Sequence, residues 1–122
     1  MNRTQALMAC SGRTCSGKRE LVGTYNKLVR DRIPEIIRAN GEHPVTRTLG
    51  DAEYLTELVR KLEEECDEFK ADLSLEELAD VQEVVLALAD AIASRAELER
   101  VRADKAAQRG AFAQKIFLER TE

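Results

Sequence analysis

The chain has 122 residues, of which 43% are hydrophobic and 34% charged, with two prolines and no tryptophan. This length allows one domain with a hydrophobic core, and the composition is typical of a helix-rich globular protein. The net charge is −4: residues 1–23 carry four basic groups and one acidic group (+3), so residues 24–122, with 15 basic and 22 acidic groups, carry −7. A domain this acidic is a poor binder of nucleic acid polymers, and we expect no such partner.

Cysteine usage and hydropathy indicate the compartment. Three cysteines, Cys10, Cys15 and Cys66, are too few for a disulfide framework. Cys66 falls on an apolar helix face, where we expect a buried, reduced thiol. No stretch has the apolar length of a membrane span, and residues 1–23 lack the hydrophobic region of a signal peptide. The sequence therefore favours a cytoplasmic protein without a membrane partner.

The chain divides into a tail and one domain. Residues 1–23 have no sustained periodicity and are predicted to be a flexible tail, followed by a domain over residues 24–122. The stretch GRTCSGKR (12–19) approaches the phosphate-binding pattern G-x4-G-K-[ST], but Arg19 replaces the hydroxyl residue and no strand precedes it. We interpret this stretch as a chance match.

From residue 25 the pattern predicts helices separated by short breaks. RDRIPEIIRANG (30–41) has Pro34 in a first helical turn and Gly41 just past a helix end. HPVTRTLG (43–50) is rich in β-branched residues and is predicted to be extended near 45–49. A second extended segment is predicted near 115–119. A long helix follows, with Asp51 as its predicted N-cap.

Two capping boxes of the form S-x-x-E open the remaining helices. Ser74 and Glu77 begin a helix over about residues 75–93, and Ser94 and Glu97 begin another that ends before Gly110. Because the breaks are so short, neighbouring helices are predicted to pack antiparallel. The expected fold is an all-α antiparallel helical bundle.

Nine of the twenty residues 62–81 are acidic, and their spacing decides where they point. Glu65 and Glu68 lie one turn apart beside the apolar stripe of the long helix, and Glu77 and Asp80 lie at the edge of the next helix's stripe. The two predicted stripes are Leu55, Leu58, Leu62, Cys66, Phe69 and Leu73, and Leu78, Val81, Val85, Leu88 and Ile92. If the stripes face each other, the four carboxylates converge, and a hard divalent cation, Mg²⁺ or Mn²⁺, is the simplest compensation for their charge.

A simpler interpretation of the same residues stands beside this one. Charge runs are usually solvated helix faces. Glu77 is explained by its capping box, and Asp80 by the favourable position near a helix N-terminus. Glu65 and Glu68 could pair with Lys61 across one turn or face solvent.

The stretch KLEEECDEF…EELADVQEVVLAL resembles the E-E-x-x-E…E-x-x-D signature of the all-α nucleoside triphosphate pyrophosphohydrolases, the MazG-like superfamily. Members include phosphoribosyl-ATP pyrophosphohydrolase and the dimeric dUTPases. YNKLVRDRIPEIIRANG (25–41) and QRGAFAQKIFL (108–118) resemble the two ends of a subgroup regarded as house-cleaning pyrophosphatases. The resemblance covers about residues 25–119.

The resemblance implies Mg²⁺-dependent hydrolysis of a nucleoside triphosphate, with water attacking at the α–β phosphate linkage to give a monophosphate and pyrophosphate. The family's metal-binding and catalytic carboxylates map onto Glu65, Glu68, Glu77 and Asp80. Glu64 matches the other motif glutamate, although helical arithmetic aims it at solvent.

Other side chains are candidates for supporting roles. Asp72 joins Glu64 as a candidate supporting residue, and His43, the only histidine, lies in a predicted loop and is interpreted as a surface residue. The phosphate oxygens need basic partners, although ordinary surface pairing explains any single basic group equally well. The candidate substrate-binding residues are Lys27, Arg30, Lys61, Arg109 and Lys115, and Asn26 and Phe112 are candidates for base recognition.

Three hypotheses follow for function. The first is a pyrophosphohydrolase acting on a non-standard nucleotide, and the second is phosphoribosyl-ATP pyrophosphohydrolase of histidine biosynthesis. The third is a non-catalytic helical interaction module with an acidic patch. Val84, Leu86 and Ala89 lie outside the main stripe of their helix, which is apolar around much of its circumference. A homo-oligomer, at least a dimer, is therefore predicted to complete the bundle.

Overall fold

A computed structural model describes residues 23–122 of the chain. Within this range the chain forms four α-helices and no β-strand: α1 (Ile33–Ala39), α2 (Asp51–Ala71), α3 (Leu75–Ile92) and α4 (Arg95–Arg109). The predicted all-α class is thereby confirmed for the described residues. The predicted tail, apart from its last residue, and the stretch GRTCSGKR lie outside them.

The short helix α1 begins and ends where its sequence predicts. Pro34 lies in its first turn, and Gly41 follows its C-cap, Asn40, with φ +90°. The backbone N–H of Gly41 donates to the carbonyl of Arg38, and that of Glu42 donates to Ile37. This pair of bonds is a Schellman motif, and it requires the left-handed conformation that glycine adopts at little cost.

Helices α2 and α3 are joined by residues 72–74 and pack against each other as a hairpin. Gly50 is the N-cap of α2, one residue before the predicted Asp51, a shift within the usual variation of helix ends. Ser74 is the N-cap of α3, and its side chain accepts the backbone N–H of Glu77. The hairpin brings the two acidic segments of the sequence face to face.

Helix α4 contacts α3 more sparsely and contains no buried residue. Ser94 caps it by accepting the backbone N–H of Glu97, and Gly110 is its C-cap. Neither predicted extended segment forms a strand: residues 45–49 and 115–119 both have no regular structure, and a turn at 113–114 precedes the second segment. Every residue from 110 to 122 is exposed.

The buried face of α2 differs from the predicted one. Leu58 is buried together with Lys61 and Glu65, whereas Leu55 is 39% exposed and Cys66 is an exposed free cysteine. The prediction of a buried Cys66 thiol is therefore wrong. The inward face lies about 60° around the helix from the predicted apolar stripe, because the hairpin turns the acidic edge of α2 toward α3.

The buried residues of helix α3 also differ from the predicted ones. Val84 and Ala89 are buried within the chain, while Leu78 is 46% and Ile92 72% exposed. Val84 and Ala89 therefore do not need a second chain to cover them, contrary to the prediction, and Leu86 is partly buried. The exposed part of the predicted stripe of α3 is therefore its two ends, whereas its three central residues are partly buried.

The core of the described chain is small and unusually charged. Its buried apolar residues are Ile33, Leu58, Val84 and Ala89, and its buried charged residues are Lys61, Glu65, Glu77 and Asp80. Other large apolar side chains stay exposed, namely Tyr25, Val45, Val59, Leu73, Leu75, Leu98, Val101, Phe112, Ile116, Phe117 and Leu118. Even so, no helix among residues 23–122 has both the length and the apolar character that crossing a bilayer requires.

Candidate metal-binding site

Three carboxylates from the α2–α3 hairpin meet inside the protein. Glu65, Glu77 and Asp80 each place an oxygen within 4.8 Å of the others, and the three residues are 1%, 0% and 3% exposed. Acidic side chains are rarely buried this completely unless they are paired or bind a metal. We call these three residues the acidic triad.

Local sequence determines where the triad forms. The hydroxyl of Ser74 accepts the backbone N–H of Glu77 at 3.2 Å and so fixes the first residue of α3. Glu77 and Asp80 are three positions apart and therefore share one face of that helix. Residues 72–74 are too few to let α3 move away from the end of α2, so Glu65 meets this face across the hairpin.

Two cations accompany the triad. Arg30 donates from Nη2 to Oδ1 of Asp80 at 2.5 Å, although its own side chain is 45% exposed. The ammonium group of Lys61 lies 3.4 Å from Oε2 of Glu65, and both side chains are almost fully buried. Three carboxylates thus face two cations, which leaves an excess of negative charge when all are ionised.

Two triad oxygens have an unused capacity to accept hydrogen bonds. Oε1 of Glu65 and Oδ2 of Asp80 are buried and accept no hydrogen bond from any of the described residues. Leaving a buried acceptor unsatisfied costs about 1–3 kcal/mol, and more for a charged group. An oxygen-only donor set of this kind suits a hard divalent cation such as Mg²⁺ or Mn²⁺. The residues present therefore fit the predicted metal.

The electrostatics of Glu65 reflect this crowding. Burial raises the pKa of its carboxyl group above the ordinary value, the positive charge of Lys61 acts in the opposite direction, and the charges of Glu68 and Asp80 raise the pKa further. The carboxylate form of Glu65 is thus disfavoured in the metal-free protein. A bound cation would reverse this balance by stabilising the ionised form.

The other predicted acidic residues lie around the triad. Glu68 is half-buried one turn beyond Glu65, close enough to affect its pKa, but it lies outside the group whose oxygens are within 4.8 Å of one another. Asp72 is the exposed C-cap residue of α2 and also lies outside the group. Its predicted supporting role gains nothing from this position.

Glu64 does not point into open solvent, so the prediction from its helical angle is wrong. Its side chain is 16% exposed, with Oε2 at 3.2 Å from Nζ of Lys27 and Oε1 at 3.4 Å from Nζ of Lys61. Lys61 therefore lies between Glu64 and Glu65 and connects Glu64 to the triad. The rotation of α2 that buries Glu65 also brings Glu64 against the N-terminal segment.

The predicted basic residues divide into two groups. Lys27, Arg30 and Lys61 pair with carboxylates in or beside the triad. Arg109 lies in the last turn of α4, and Lys115 is exposed with φ +62°. Neither forms an ion pair with the acidic triad within residues 23–122. Phe112, a candidate for base recognition, is 95% exposed.

A small pocket lies on the Lys61 side of the triad. Its volume is about 90 Å³, and Asn26, in the left-handed conformation with φ +45°, forms part of its wall. The full lining is Asn26, Lys27, Leu28, Glu57, Arg60, Lys61 and Glu64. Sequence reasoning missed Glu57 and Arg60 here, and their only signal was their position on the same side of α2 as Lys61 and Glu64.

Comparison with known proteins adds little to this geometry. No family model and no solved structure matches the chain. Over 45 residues, 37% of this chain, the sequence is 60% identical to an uncharacterized protein of Mycolicibacterium smegmatis. The match covers 46% of that protein, so it shows similarity to part of it and assigns no activity.

Proposed function

We propose that the protein is a Mg²⁺-dependent nucleoside triphosphate pyrophosphohydrolase whose metal is held by the acidic triad. The observation that carries this proposal is the burial of Glu65, Glu77 and Asp80 within 4.8 Å of one another. Buried like charges at this spacing repel one another strongly. A protein that keeps them together, with two buried oxygens still able to accept, has the ligands for a divalent cation.

The proposed reaction adds water across the α–β phosphoanhydride bond. Water forms the new bond to the α phosphorus, the bridging oxygen leaves with pyrophosphate, and one proton is released. When bound, the metal supplies charge neutralisation for the phosphates and lowers the pKa of a bound water. Glu68 lies beside the triad and outside it, so it is the carboxylate best placed to take the proton of the attacking water.

Binding the phosphates is the proposed task of the basic residues around the triad. Lys27 and Lys61 line the small pocket next to Glu64, and Arg30 bridges Asp80 and the surface. These cations lie where a triphosphate could meet them as soon as the metal has neutralised the carboxylates. Arg109 and Lys115 stay in the proposal as residues that a second copy of the chain could bring to the site.

A homo-oligomer is part of the same proposal. The pocket of about 90 Å³ is far below the roughly 300–1,000 Å³ of sites that enclose a whole ligand. The base and ribose therefore need further walls. The exposed apolar side chains of α3, α4 and residues 112–118 are the surface that a second copy would cover. We place the assembled enzyme in the cytoplasm.

The deciding experiment measures pyrophosphate release from standard and modified nucleoside triphosphates and from phosphoribosyl-ATP. Each substrate is tested with Mg²⁺, with Mn²⁺ and with EDTA, using wild type, Glu77→Gln and the exposed neighbour variant Glu76→Gln. Metal-dependent release that Glu77→Gln abolishes and Glu76→Gln preserves is the expected result. The best substrate would then distinguish a pyrophosphohydrolase of non-standard nucleotides from phosphoribosyl-ATP pyrophosphohydrolase.

The opposite result is equally informative. If a folded sample releases no pyrophosphate from any substrate with either metal, the enzyme proposal fails. An acidic surface that binds a partner protein would then be the explanation to pursue.

A further inference from the structure

Arg30 lies between the buried triad and the solvent. Its guanidinium group donates from Nη2 to Oδ1 of Asp80, which is 3% exposed, while the arginine side chain is 45% exposed. A guanidinium group has five N–H donors, and this hydrogen bond uses Nη2 only. Within residues 23–122 this side chain makes no other hydrogen bond, so the donors on its other nitrogens are available to a ligand arriving from solvent.

The backbone holds Arg30 in this position. The carbonyl of Arg30 accepts the N–H of Ile33 at 3.0 Å in the turn that leads into α1, and the side chain of Ile33 is 5% exposed. The turn is thus anchored by a buried residue. Asp80 comes from the first two turns of α3, so the contact joins the N-terminal segment to the hairpin.

We propose that Arg30 is an exchangeable counter-ion that couples metal binding to phosphate binding, an inference that rests on the proposed function. Without ligands, Arg30 neutralises Asp80 and so opposes the entry of a divalent cation. When a polyphosphate binds, its oxygens accept hydrogen bonds from Arg30 and neutralise the guanidinium charge. The metal at Asp80 is then no longer repelled by that charge. Metal and polyphosphate therefore bind together far more tightly than either binds alone.

Electrostatics predict opposite effects on the two ligands. A guanidinium group bonded to a ligand carboxylate lies only a few ångströms from the metal, where charges in a partly buried site interact strongly. Removing its charge should tighten the binding of metal alone. The same change should weaken the binding of a polyphosphate, because it removes a charge-assisted donor. A merely structural arginine would not produce this reversal of sign.

The test uses Arg30→Gln, which keeps a hydrogen-bonding side chain and removes the charge. Arg47→Gln is the matched control, because Arg47 forms an exposed ion pair with Glu53 at 2.6 Å and its loss changes the net charge equally. Two affinities are measured for each protein: Mn²⁺ alone, by electron paramagnetic resonance, and the manganese complex of inorganic triphosphate, by calorimetry. Circular dichroism verifies that every variant is folded.

The expected result is that Arg30→Gln binds Mn²⁺ on the order of tenfold more tightly than wild type and binds the triphosphate complex on the order of tenfold more weakly. Arg47→Gln should match wild type in both. Unchanged or weaker Mn²⁺ binding by a folded Arg30→Gln would overturn the inference while leaving the metal site intact. Failure of wild type to bind both Mn²⁺ and the manganese complex of triphosphate would overturn this inference and the proposed function together.

Discussion

The ammonium nitrogen of Lys61 lies 3.4 Å from Oε2 of Glu65, one turn along α2, and the two side chains are only 8% and 2% exposed. Each charge is costly to bury alone, and each reduces the cost of burying the other. This pair is one reason that the hairpin can close over its carboxylates before any metal is bound.

Replacing Lys61 with methionine should destabilise the metal-free protein by about 3 kcal/mol at neutral pH, because it leaves Glu65 buried without its cation. Urea unfolding in EDTA measures the loss. The double variant Lys61→Met/Glu65→Gln should recover most of it. Lys70→Met, which removes an exposed lysine 3.4 Å from Asp67, should cost less than about 1 kcal/mol. Equal losses for both lysines would contradict the role assigned to Lys61.

The pH dependence of stability should reveal the raised pKa of Glu65. Because burial raises this pKa, the folded protein holds the proton more tightly than the unfolded chain does. The stabilisation is complete below the unfolded-state pKa of about 4.3 and is lost as the pH rises through the raised folded-state value.

Glu65→Gln cannot ionise and should not show this loss. In EDTA, the free energy of unfolding of Glu65→Gln should therefore increase relative to that of wild type as the pH rises from about 4 to about 7. Glu63→Gln, at an exposed position on the same helix, should run parallel to wild type. A constant difference between Glu65→Gln and wild type across this range would show that the pKa of Glu65 is not raised.

Glu77→Gln should separate folding from metal binding. Glu77 is 0% exposed and belongs to the triad, so removing its charge relieves repulsion among the three carboxylates. In EDTA the variant should unfold at the same temperature as wild type or higher. Excess Mg²⁺ should raise the Tm of wild type, because a ligand that binds only the folded state stabilises it, and should leave the variant unchanged. A variant that is unstable in EDTA would instead make Glu77 a structural residue.

Ser74 should affect both stability and the site, since it caps the turn that carries Glu77. Ser74→Ala should cost about 1 kcal/mol of stability, the usual loss on removing an N-cap, and should also weaken Mn²⁺ binding. Ser94 makes the equivalent bond to Glu97 at 3.1 Å, far along the chain from the triad. Ser94→Ala should lose similar stability and keep full Mn²⁺ affinity. Equal Mn²⁺ affinity in both variants would show that the Ser74 cap does not contribute to metal binding.

The uncovered surface of α4 is where the proposed homo-oligomer should assemble. Val101 is 42% exposed on this helix, and Val45 is 92% exposed in the irregular segment before α2. Val101→Glu should prevent the proposed oligomer from forming, as measured by sedimentation velocity, because it would place a charge in an apolar contact. Val45→Glu should sediment like wild type. A wild-type protein that is monomeric at all concentrations would refute the assembly.

Helix boundaries could be predicted from the sequence because their signals are local. Ser74, Ser94 and Gly41 occupy caps whose hydrogen bonds involve only neighbouring residues. The partners of these helices are set by contacts between distant residues, which no local pattern contains. The apolar stripe therefore gave a wrong inward face for α2, and Cys66 is exposed.

The acidic triad could be predicted in part because its residues are also close together in the sequence. Glu65, Glu77 and Asp80 follow from helical spacing and one short connection. The pairing of Arg30 with Asp80, fifty positions away, depends on how the N-terminal segment lies across the hairpin. Sequence spacing indicated which cations were available and could not indicate which carboxylates they would neutralise.

All three triad residues come from residues 65–80, on either side of one tight connection. Closing so short a loop costs little chain entropy, so the carboxylates can come together early in folding. The contact with Arg30 closes a much longer loop and should form later. The hairpin should therefore pass through a stage in which the three carboxylates are already close together but Arg30 has not yet paired with Asp80. Divalent ions present during refolding should speed this step, while monovalent salt should do so only weakly.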